Sequence, residues 1–143
     1  MKKLILAALI AVSTQAAADT KLYLGGWSSH INPPGPRNET HSAVIVSHNN
    51  IVAGSFVNSF NEQGSIVGYD FSHSFKYADV GVMTGAIFGY EEWMLVDSVM
   101  EDLLIGDVLP SVVPHVDLNI LPYVNPAVLW MGDAVALTIS VSW

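Results

Sequence analysis

Cysteine is absent from this chain of 143 residues, which excludes a disulfide framework and a thiolate zinc site. Basic residues are few, since five Lys and Arg stand against 13 Asp and Glu, and the formal net charge is −8. A chain so acidic is a poor partner for nucleic acid, because that binding depends on Lys and Arg that neutralise phosphates. Beyond the N-terminus there is no uninterrupted apolar run of about 20 residues, so no membrane-spanning helix is predicted.

The first 18 residues have the pattern of a secretory signal peptide. Two lysines precede an apolar run over residues 4–12, and three alanines stand just before Asp19. The apolar run is too short to span a bilayer. We therefore expect cleavage before Asp19 and a single domain over residues 19–143. An exported, half-hydrophobic chain without a spanning helix favours a closed barrel, since only helices and closed barrels satisfy every backbone group in lipid.

Residues 133–143 alternate strictly between large apolar side chains and small ones. Val135, Leu137, Ile139 and Trp143 share one face, while alanine, threonine and serine residues form the other. A period of two predicts a strand. An aromatic residue at the end of such a strand is typical of the closing strand of an outer-membrane barrel. A half-buried strand in a soluble sandwich is the alternative for this stretch alone.

Seven further strands are predicted upstream, over residues 21–30, 41–48, 51–60, 65–75, 79–90, 109–118 and 121–130. Within the first, Gly25 and Gly26 predict a bend. Val67, Tyr69 and Phe71 are expected to point outward. Short turns and the absence of a long crossover predict an all-β fold, an eight-stranded antiparallel up-and-down transmembrane β-barrel.

Residues 91–108 interrupt this pattern. Trp93, Val96, Met100, Leu103 and Leu104 recur at helical spacing, with acidic residues between them. The spacing predicts one short amphipathic helix in an outer loop. A lid packed on the barrel mouth is the alternative role for the same segment.

The interior of the barrel is predicted to be partly apolar, because strands one, three and seven carry apolar residues on both faces. Gly81 and Gly85 face inward on strand five, and Gly68 does so on strand four, which keeps side-chain volume out of the lumen. Eight strands enclose enough space for packed side chains or for one slim ligand such as an acyl chain. Both alternatives are compatible with the sequence.

After the partly apolar interior, the prolines are a second indication that the barrel takes up a lipid. Pro110 and Pro114 lie in predicted strand six, and Pro122 and Pro126 in strand seven. Each removes a hydrogen-bond donor from the ladder. Four such losses in adjacent strands predict a lateral opening through which a lipid passes from the bilayer. Proline at strand ends or bulges is the alternative, and it accounts more easily for Pro110 and Pro122 than for Pro114 and Pro126.

Polar residues at one rim are the third signal. His30 ends strand one and Asn58 and Ser59 end strand three, so a meander brings the three to the same rim. A histidine beside a serine hydroxyl can act as base and nucleophile, or as base and substrate-positioning group. Ordinary rim residues without a function are the alternative.

Two further sets of polar residues point to structure more than to chemistry. His115 and Asp117 share the inward face of strand six and, with Asp70, predict a buried polar cluster. The remaining histidines, His41, His48 and His73, lack metal-ligand spacing with carboxylates, so we predict no metal site.

Several segments resemble the lipid A palmitoyltransferase (PagP) family in their order along the chain. They are LYLGGWSSH at residues 22–30, FVNSFNEQGSIVGYDF at residues 56–71, LPSVVP at residues 109–114 and the terminal aromatic. Asn38 and Glu39 also echo an Asn-Glu pair in the first loop of the family. The resemblance covers most of residues 19–143 at low identity.

The resemblance implies an eight-stranded barrel in the outer membrane of a Gram-negative bacterium. Its function would be to move an acyl chain, typically palmitate, from phospholipid to lipid A. The catalytic positions of the family match His30, Asn58 and Ser59, and its proline-weakened strands admit lipid sideways. Its acyl pocket matches the glycine-lined interior near Asp70. We therefore expect phospholipid and lipopolysaccharide as partners, insertion by the barrel-assembly machinery, a monomer, and no cofactor.

This chain also departs from the family pattern. Asn58 stands where the family has Asp, and Asp70 stands where it has a glycine lining the acyl pocket. A carboxylate is costly against a buried acyl chain. The alternative function is thus a non-catalytic small outer-membrane barrel that binds lipid or modifies the cell surface through its acidic loop. A soluble carrier barrel is a third class.

Overall fold

The computed structural model describes residues 20–143 apart from residues 32, 34 and 99. The predicted signal peptide lies outside the described residues. Eight antiparallel strands pair in sequence order and close into a barrel. Their bounds are β1 Thr20–His30, β2 Ala43–His48, β3 Ile51–Val57, β4 Gln63–Ser74, β5 Ala78–Phe88, β6 Val108–Leu118, β7 Val124–Met131 and β8 Ala134–Ser142. The predicted fold class, an all-β eight-stranded antiparallel barrel, is confirmed. No helix in the described part of the chain is long and apolar enough to cross a bilayer.

Strand β8 closes the barrel against β1. Lys21 lies opposite Ser142 and His30 opposite Ala134, with one register shift between Leu24 and Trp27. That shift falls at the predicted glycine bend, where Gly25 takes a φ of +66°. Such a backbone conformation favours glycine.

The faces of the strands follow the predicted alternation. On β8 the large residues Val135, Leu137 and Ile139 are exposed, while the small residues between them are buried. On β4 the residues Val67, Tyr69 and Phe71 likewise point outward. The exterior is therefore apolar and rich in aromatic side chains, and the small inward residues of β8 leave space for larger ones from other strands.

The two ends of the barrel differ. One end, the loop end, carries the connections over residues 31–42, 58–62, 89–107 and 132–133. The other, the turn end, carries residues 49–50, 75–77 and 119–123 together with the start of β1 and the end of β8. A tight turn lies at Asn49 and Asn50, where both residues have positive φ. Long connections therefore gather where β1 and β3 end.

Two predicted strand boundaries are wrong by three residues, and the others agree within two. Strand β3 ends at Val57 and not at residue 60, because Asn58 begins a hydrogen-bonded turn. Strand β7 begins at Val124 and not at residue 121. Pro122 therefore lies in the connection between β6 and β7, where it removes no donor from the ladder.

Among the described residues of the outer segment 91–108, helical structure is confined to two separate 3-10 turns, Glu92–Met94 and Glu101–Leu103. The single amphipathic helix predicted there is wrong, because Asp97 has a φ of +62° and breaks the segment between the turns. A left-handed residue cannot continue a right-handed helix.

The buried face of this segment also differs from the predicted one. Trp93 is 59% exposed and Val96 is 48% exposed, whereas Met94 and Leu95 are almost fully buried. Leu95 belongs to the core cluster. The segment thus packs over the loop end of the barrel as a lid, which was the alternative for these residues.

Candidate functional site

The predicted pair of His30 and Ser59 is assembled at the loop end. His30 is the last residue of β1, and Ser59 lies in the connection that follows β3. The Nε2 atom of His30 and the Oγ atom of Ser59 are 2.8 Å apart, a hydrogen bond between residues 29 positions apart in sequence. The distance suits proton transfer between an imidazole and a hydroxyl.

The second ring nitrogen of His30 has a different environment. Its Nδ1 atom is buried and has no hydrogen-bond partner within the described residues. In serine–histidine catalysis a third group usually orients the base. His30 and Ser59 therefore form a dyad in which no group of the described residues selects the tautomer of the imidazole.

Asn58 is not brought to this dyad. Its side chain is buried, and its Oδ1 atom accepts hydrogen bonds from the backbone N–H groups of Phe60 (2.9 Å) and Glu62 (3.0 Å). Its Nδ2 atom donates to the carbonyl of Gly89 at 2.9 Å. The amide thus shapes the connection after β3 and ties it to the end of β5. No catalytic contact of Asn58 is present in this arrangement.

Two small cavities lie at the dyad, of about 50 Å³ and about 60 Å³. Ser59 and Tyr90 line both, and His30 and Asp133 line the first. Burial, with a smaller contribution from the negative charge of Asp133, raises the pKa of Tyr90 to about 12. The phenol is therefore a neutral hydroxyl at pH 7. Binding sites for small molecules usually measure about 300–1,000 Å³, so a larger ligand requires the lid to move.

Below these cavities the lumen is filled by side chains. Tyr23, Val52, Met83, Leu109 and Leu129 are buried there in one apolar cluster. The prediction of a partly apolar interior is confirmed. In this conformation the interior is a packed core, the alternative to an open space for an acyl chain.

The three inward glycines do not line a lipid pocket in this structure. Gly68 and Gly85 lie opposite each other, and a Cβ on either would come within 2.2 Å of a carbonyl oxygen on the facing strand. A Cβ on Gly81 would lie 2.4 Å from Nε2 of His115. The first two glycines therefore allow close approach of β4 and β5, and Gly81 makes room for the imidazole.

The predicted cluster of Asp70, His115 and Asp117 is confirmed. The Nε2 atom of His115 lies 2.9 Å from Oδ1 of Asp70, and its Nδ1 atom lies 3.0 Å from Oδ2 of Asp117. All three side chains are buried. Asp70 is thus held by an imidazole and does not face an acyl pocket.

Sequence reasoning missed two charged members of this cluster. Lys21 forms ion pairs with Asp79 (2.6 Å) and Asp117 (3.4 Å). A cavity of about 140 Å³ adjoins these groups and is lined by Lys21, Asp70 and polar residues. A lysine among apolar residues at the start of β1 was the available signal, since a buried charge requires a partner.

The seam between β6 and β7 is short. Residues 115–117 of β6 pair with residues 127–129 of β7, whereas β6 pairs with β5 along its whole length. Pro110 and Pro114 lie in the part of β6 that extends towards the loop end without pairing to β7. Pro126 lies on β7 opposite Ile139 of β8. The structure thus places three of the four predicted gate prolines in strands beside this seam.

Another serine–histidine contact at the loop end was not predicted. The Oγ atom of Ser28 lies 2.7 Å from Nε2 of His41, whose Nδ1 atom is 2.8 Å from the carbonyl oxygen of Val57. Because only a protonated Nδ1 can donate to that carbonyl, Nε2 of a neutral imidazole accepts from Ser28. Ser28 is buried and absent from the lining of the two cavities. The contact ties β1 to the end of β3.

Arg37 was also missed as a member of the site. Its guanidinium lies 4.3 Å from the centre of the Phe60 ring, and its side chain lines the first cavity with His30 and Ser59. The low count of basic residues was the available signal, because a cation in so acidic a chain needs an explanation. Within the described residues, no cluster of three or more His, Asp or Glu side chains is arranged to hold a metal.

Comparison with known proteins supports the fold and no family. No protein-family model matches the chain, and no curated protein matches it. A solved structure with the same architecture is the solution NMR structure of the de novo designed protein TMB2.3. The two share 12% sequence identity with a TM-score of 0.52, over 87% of this chain and 91% of the designed one. At that identity the likeness concerns the fold alone, so the chain is an eight-stranded closed β-barrel.

Proposed function

We propose that this protein is an outer-membrane barrel that transfers an acyl chain from a phospholipid to lipid A, as its resemblance to the PagP family implies. The observation that carries the proposal is the hydrogen bond of 2.8 Å between His30 and Ser59 at the loop end. The pair lies above an apolar interior and at the end of the barrel where the seam between β6 and β7 is unpaired.

The exterior supports the membrane location. Large apolar and aromatic residues are exposed around the barrel, among them Phe71, Val112, Trp130 and Leu137. Soluble monomers rarely expose apolar patches larger than a few hundred Å², whereas a membrane barrel presents an outward apolar band flanked by aromatic residues. Long loops at one end and short turns at the other match the outer and periplasmic ends of such barrels.

The chemistry follows from the dyad. A hydroxyl of lipid A attacks the ester carbonyl of the phospholipid, and its proton passes to Nε2 of His30 as the new C–O bond forms. The Ser59 hydroxyl donates a hydrogen bond to the carbonyl oxygen as negative charge develops there. The bond between the carbonyl carbon and the glycerol oxygen then breaks, and the leaving glycerol oxygen takes the proton from His30. The products are acylated lipid A and a lysophospholipid.

Substrate entry requires two movements in this scheme. The donor lipid reaches the dyad through the loop half of the β6–β7 seam, where Pro110 and Pro114 lie. The lid residues Met94 and Leu95 leave the cavity so that an acyl chain can replace them. The first movement opens a stretch where β6 does not pair with β7, and the backbone hydrogen bonds of Met94 and Leu95 within the described residues are to residues of the lid itself.

A second candidate function is a non-catalytic barrel that binds lipid or alters the outer surface. Three observations favour this alternative: the packed interior, the hydrogen bonds that hold Asn58 in its turn, and the Nδ1 atom of His30, which has no partner within the described residues. In that case the acidic lid carries the function, and the dyad is dispensable.

The test is mass spectrometry of lipid A from cells that express the protein in the outer membrane. The wild type should add one acyl mass to lipid A. Ser59→Ala should abolish the addition, and His30→Ala should slow it by a factor on the order of 10²–10⁴, the usual contribution of a general base.

Two control variants make the assay specific. Ser65→Ala removes an exposed serine from the outer face of β4, and Ser28→Ala removes another serine that contacts a histidine. Both variants should retain acyl transfer. An unmodified lipid A, with folded wild-type barrel in the membrane, would refute the enzyme and favour the non-catalytic function. Recovery of the protein in the periplasm without detergent would refute the membrane location.

A further inference from the structure

Among the described residues, Arg37 is the cation at the dyad, and no acidic side chain forms an ion pair with it. Of the five Lys and Arg in the sequence, Lys21 is ion-paired at the turn end and Lys76 lies in the turn after β4. Arg37 forms no ion pair and no hydrogen bond within the described residues. In a chain with a formal net charge of −8, a guanidinium with all its donors free is available for an anion.

The backbone around Arg37 is held beside Ser59. The N–H of Asn38 donates to the carbonyl oxygen of Ser59 at 2.8 Å, and Nδ2 of Asn38 donates to the carbonyl oxygen of Asn58 at 3.3 Å. The guanidinium lies over the Phe60 ring at 4.3 Å. Three contacts thus fix the loop that carries the cation against the loop that carries the serine.

A purely structural role, in which Arg37 only contacts the Phe60 ring, does not account for the free N–H donors of the guanidinium. A cation–π contact at an exposed site contributes about 0.5–1 kcal/mol and uses the face of the guanidinium. The five N–H donors at its edge have no acceptor among the described residues. These donors form a fork that fits a phosphate in a bidentate arrangement.

We propose that Arg37 binds the phosphate of a lipid headgroup and so selects phosphate-bearing lipids for this site. The proposal rests on the function proposed above, and it names the substrate class. Arg37, His30 and Ser59 line one cavity, so a phosphate held by Arg37 places an ester of the same lipid near the dyad. Asp133 lines the same cavity and carries a negative charge, which leaves the Arg37 side as the place for an anion.

Binding to the purified barrel in neutral detergent micelles tests this proposal without requiring turnover. The probes are short-chain phosphatidylglycerol, diacylglycerol with the same acyl chains, and lipid A. The variants are Arg37→Gln, Arg37→Lys and the matched control Lys76→Gln, which removes a cation lying 4.9 Å from the Tyr77 ring at the opposite end. Titration followed by tryptophan fluorescence reports the dissociation constants.

Arg37→Gln should weaken phosphatidylglycerol binding about tenfold, which corresponds to about 1.4 kcal/mol, and should leave diacylglycerol binding unchanged. Arg37→Lys should give an intermediate value, because an ammonium lacks the fork, and Lys76→Gln should bind like the wild type. A loss confined to phosphatidylglycerol assigns the phosphate to the donor lipid, and a loss confined to lipid A assigns it to the acceptor.

Two results would overturn the proposal. The first is unchanged binding of both phosphate-bearing lipids by Arg37→Gln. The second is an equal loss for diacylglycerol, which would mean that Arg37 only shapes the loops. The absence of acyl transfer is a separate result. If the barrel binds phosphatidylglycerol through Arg37 but does not acylate lipid A, the phosphate site is supported and the proposed enzyme activity is refuted.

Discussion

The buried cluster at the turn end makes the stability of the barrel depend on one imidazole. His115 lies between Asp70 and Asp117, at 2.9 and 3.0 Å from their oxygens. When both carboxylates are ionised they only accept hydrogen bonds, so both ring nitrogens donate and the ring carries a positive charge. His115→Ala removes that charge together with both hydrogen bonds.

The two carboxylates are affected unequally. Asp117 keeps the ammonium of Lys21 at 3.4 Å and the hydroxyl of Tyr23 at 3.2 Å. Asp70 keeps no other side-chain hydrogen-bond partner within the described residues. Removing one partner of a buried ion pair costs about 3–5 kcal/mol. We take about 3 kcal/mol, because the adjoining cavity of about 140 Å³ can admit water to Asp70.

The assay is urea unfolding of the barrel in lipid vesicles, followed by tryptophan fluorescence. With a slope of about 2 kcal/mol/M, His115→Ala should lower the midpoint by about 1.5 M. Asp70→Asn in the same chain should restore part of the loss, because a neutral amide requires no counter-charge. The matched control is His73→Ala, which removes an exposed histidine on the outer face of β4.

A loss below about 1 kcal/mol for His115→Ala would refute the argument that the imidazole compensates a buried charge. So would a double variant with Asp70→Asn that is less stable than His115→Ala alone. Either result would mean that Asp70 is compensated by solvent or is already neutral.

Two further predictions concern the loop end. Asn58→Asp installs the acid that the PagP family has at this position. It should destabilise the barrel by about 1–3 kcal/mol in the same urea assay, because a carboxylate would face the carbonyl of Gly89 where the amide now donates. Cysteines at Pro114 and Trp130, which the register places opposite each other one step beyond the last paired residues, should form a disulfide across the seam. That disulfide should abolish lipid A acylation until a reductant is added.

Both predictions have internal controls. Asn58→Ala removes the amide without adding charge, and it therefore separates the loss of the amide from the effect of the carboxylate. Acyl transfer by Asn58→Asp above the level of the wild type would show that an acid here is catalytic. The chain has no cysteine of its own, so each single-cysteine variant shows the effect of substitution without the cross-link. Full acylation by the oxidised double variant would exclude this seam as the lipid entrance.

The sequence by itself determined the strands and their outward faces. Alternation is a local property, since successive side chains of a strand point to opposite faces. The faces of Val135 and Tyr69 could therefore be predicted from their neighbours. The His30–Ser59 contact was predictable for a similar reason, because His30 ends β1 and Ser59 follows the end of β3 at the same rim of a meander.

Only the tertiary structure decided what the interior residues do. Asp70 and His115 are 45 positions apart, and the stagger of the strands brings them together, which no local pattern contains. The sequence predicts that Gly81 leaves space in the lumen, but the imidazole of His115 on β6 fills that space. Asn58 was assigned to the dyad from its position, but the direction of its side chain depends on the turn that its amide stabilises.

The structure of the lid and the position of Arg37 were also decided only by the tertiary structure. Helical spacing over residues 91–108 was real, but a residue with positive φ and burial of Met94 and Leu95 against the core gave two short turns instead of a helix. The position of Arg37 beside Ser59 arises from contacts between two loops. Periodicity determines which side of a strand a residue faces, whereas closure of the barrel determines which residues meet inside it.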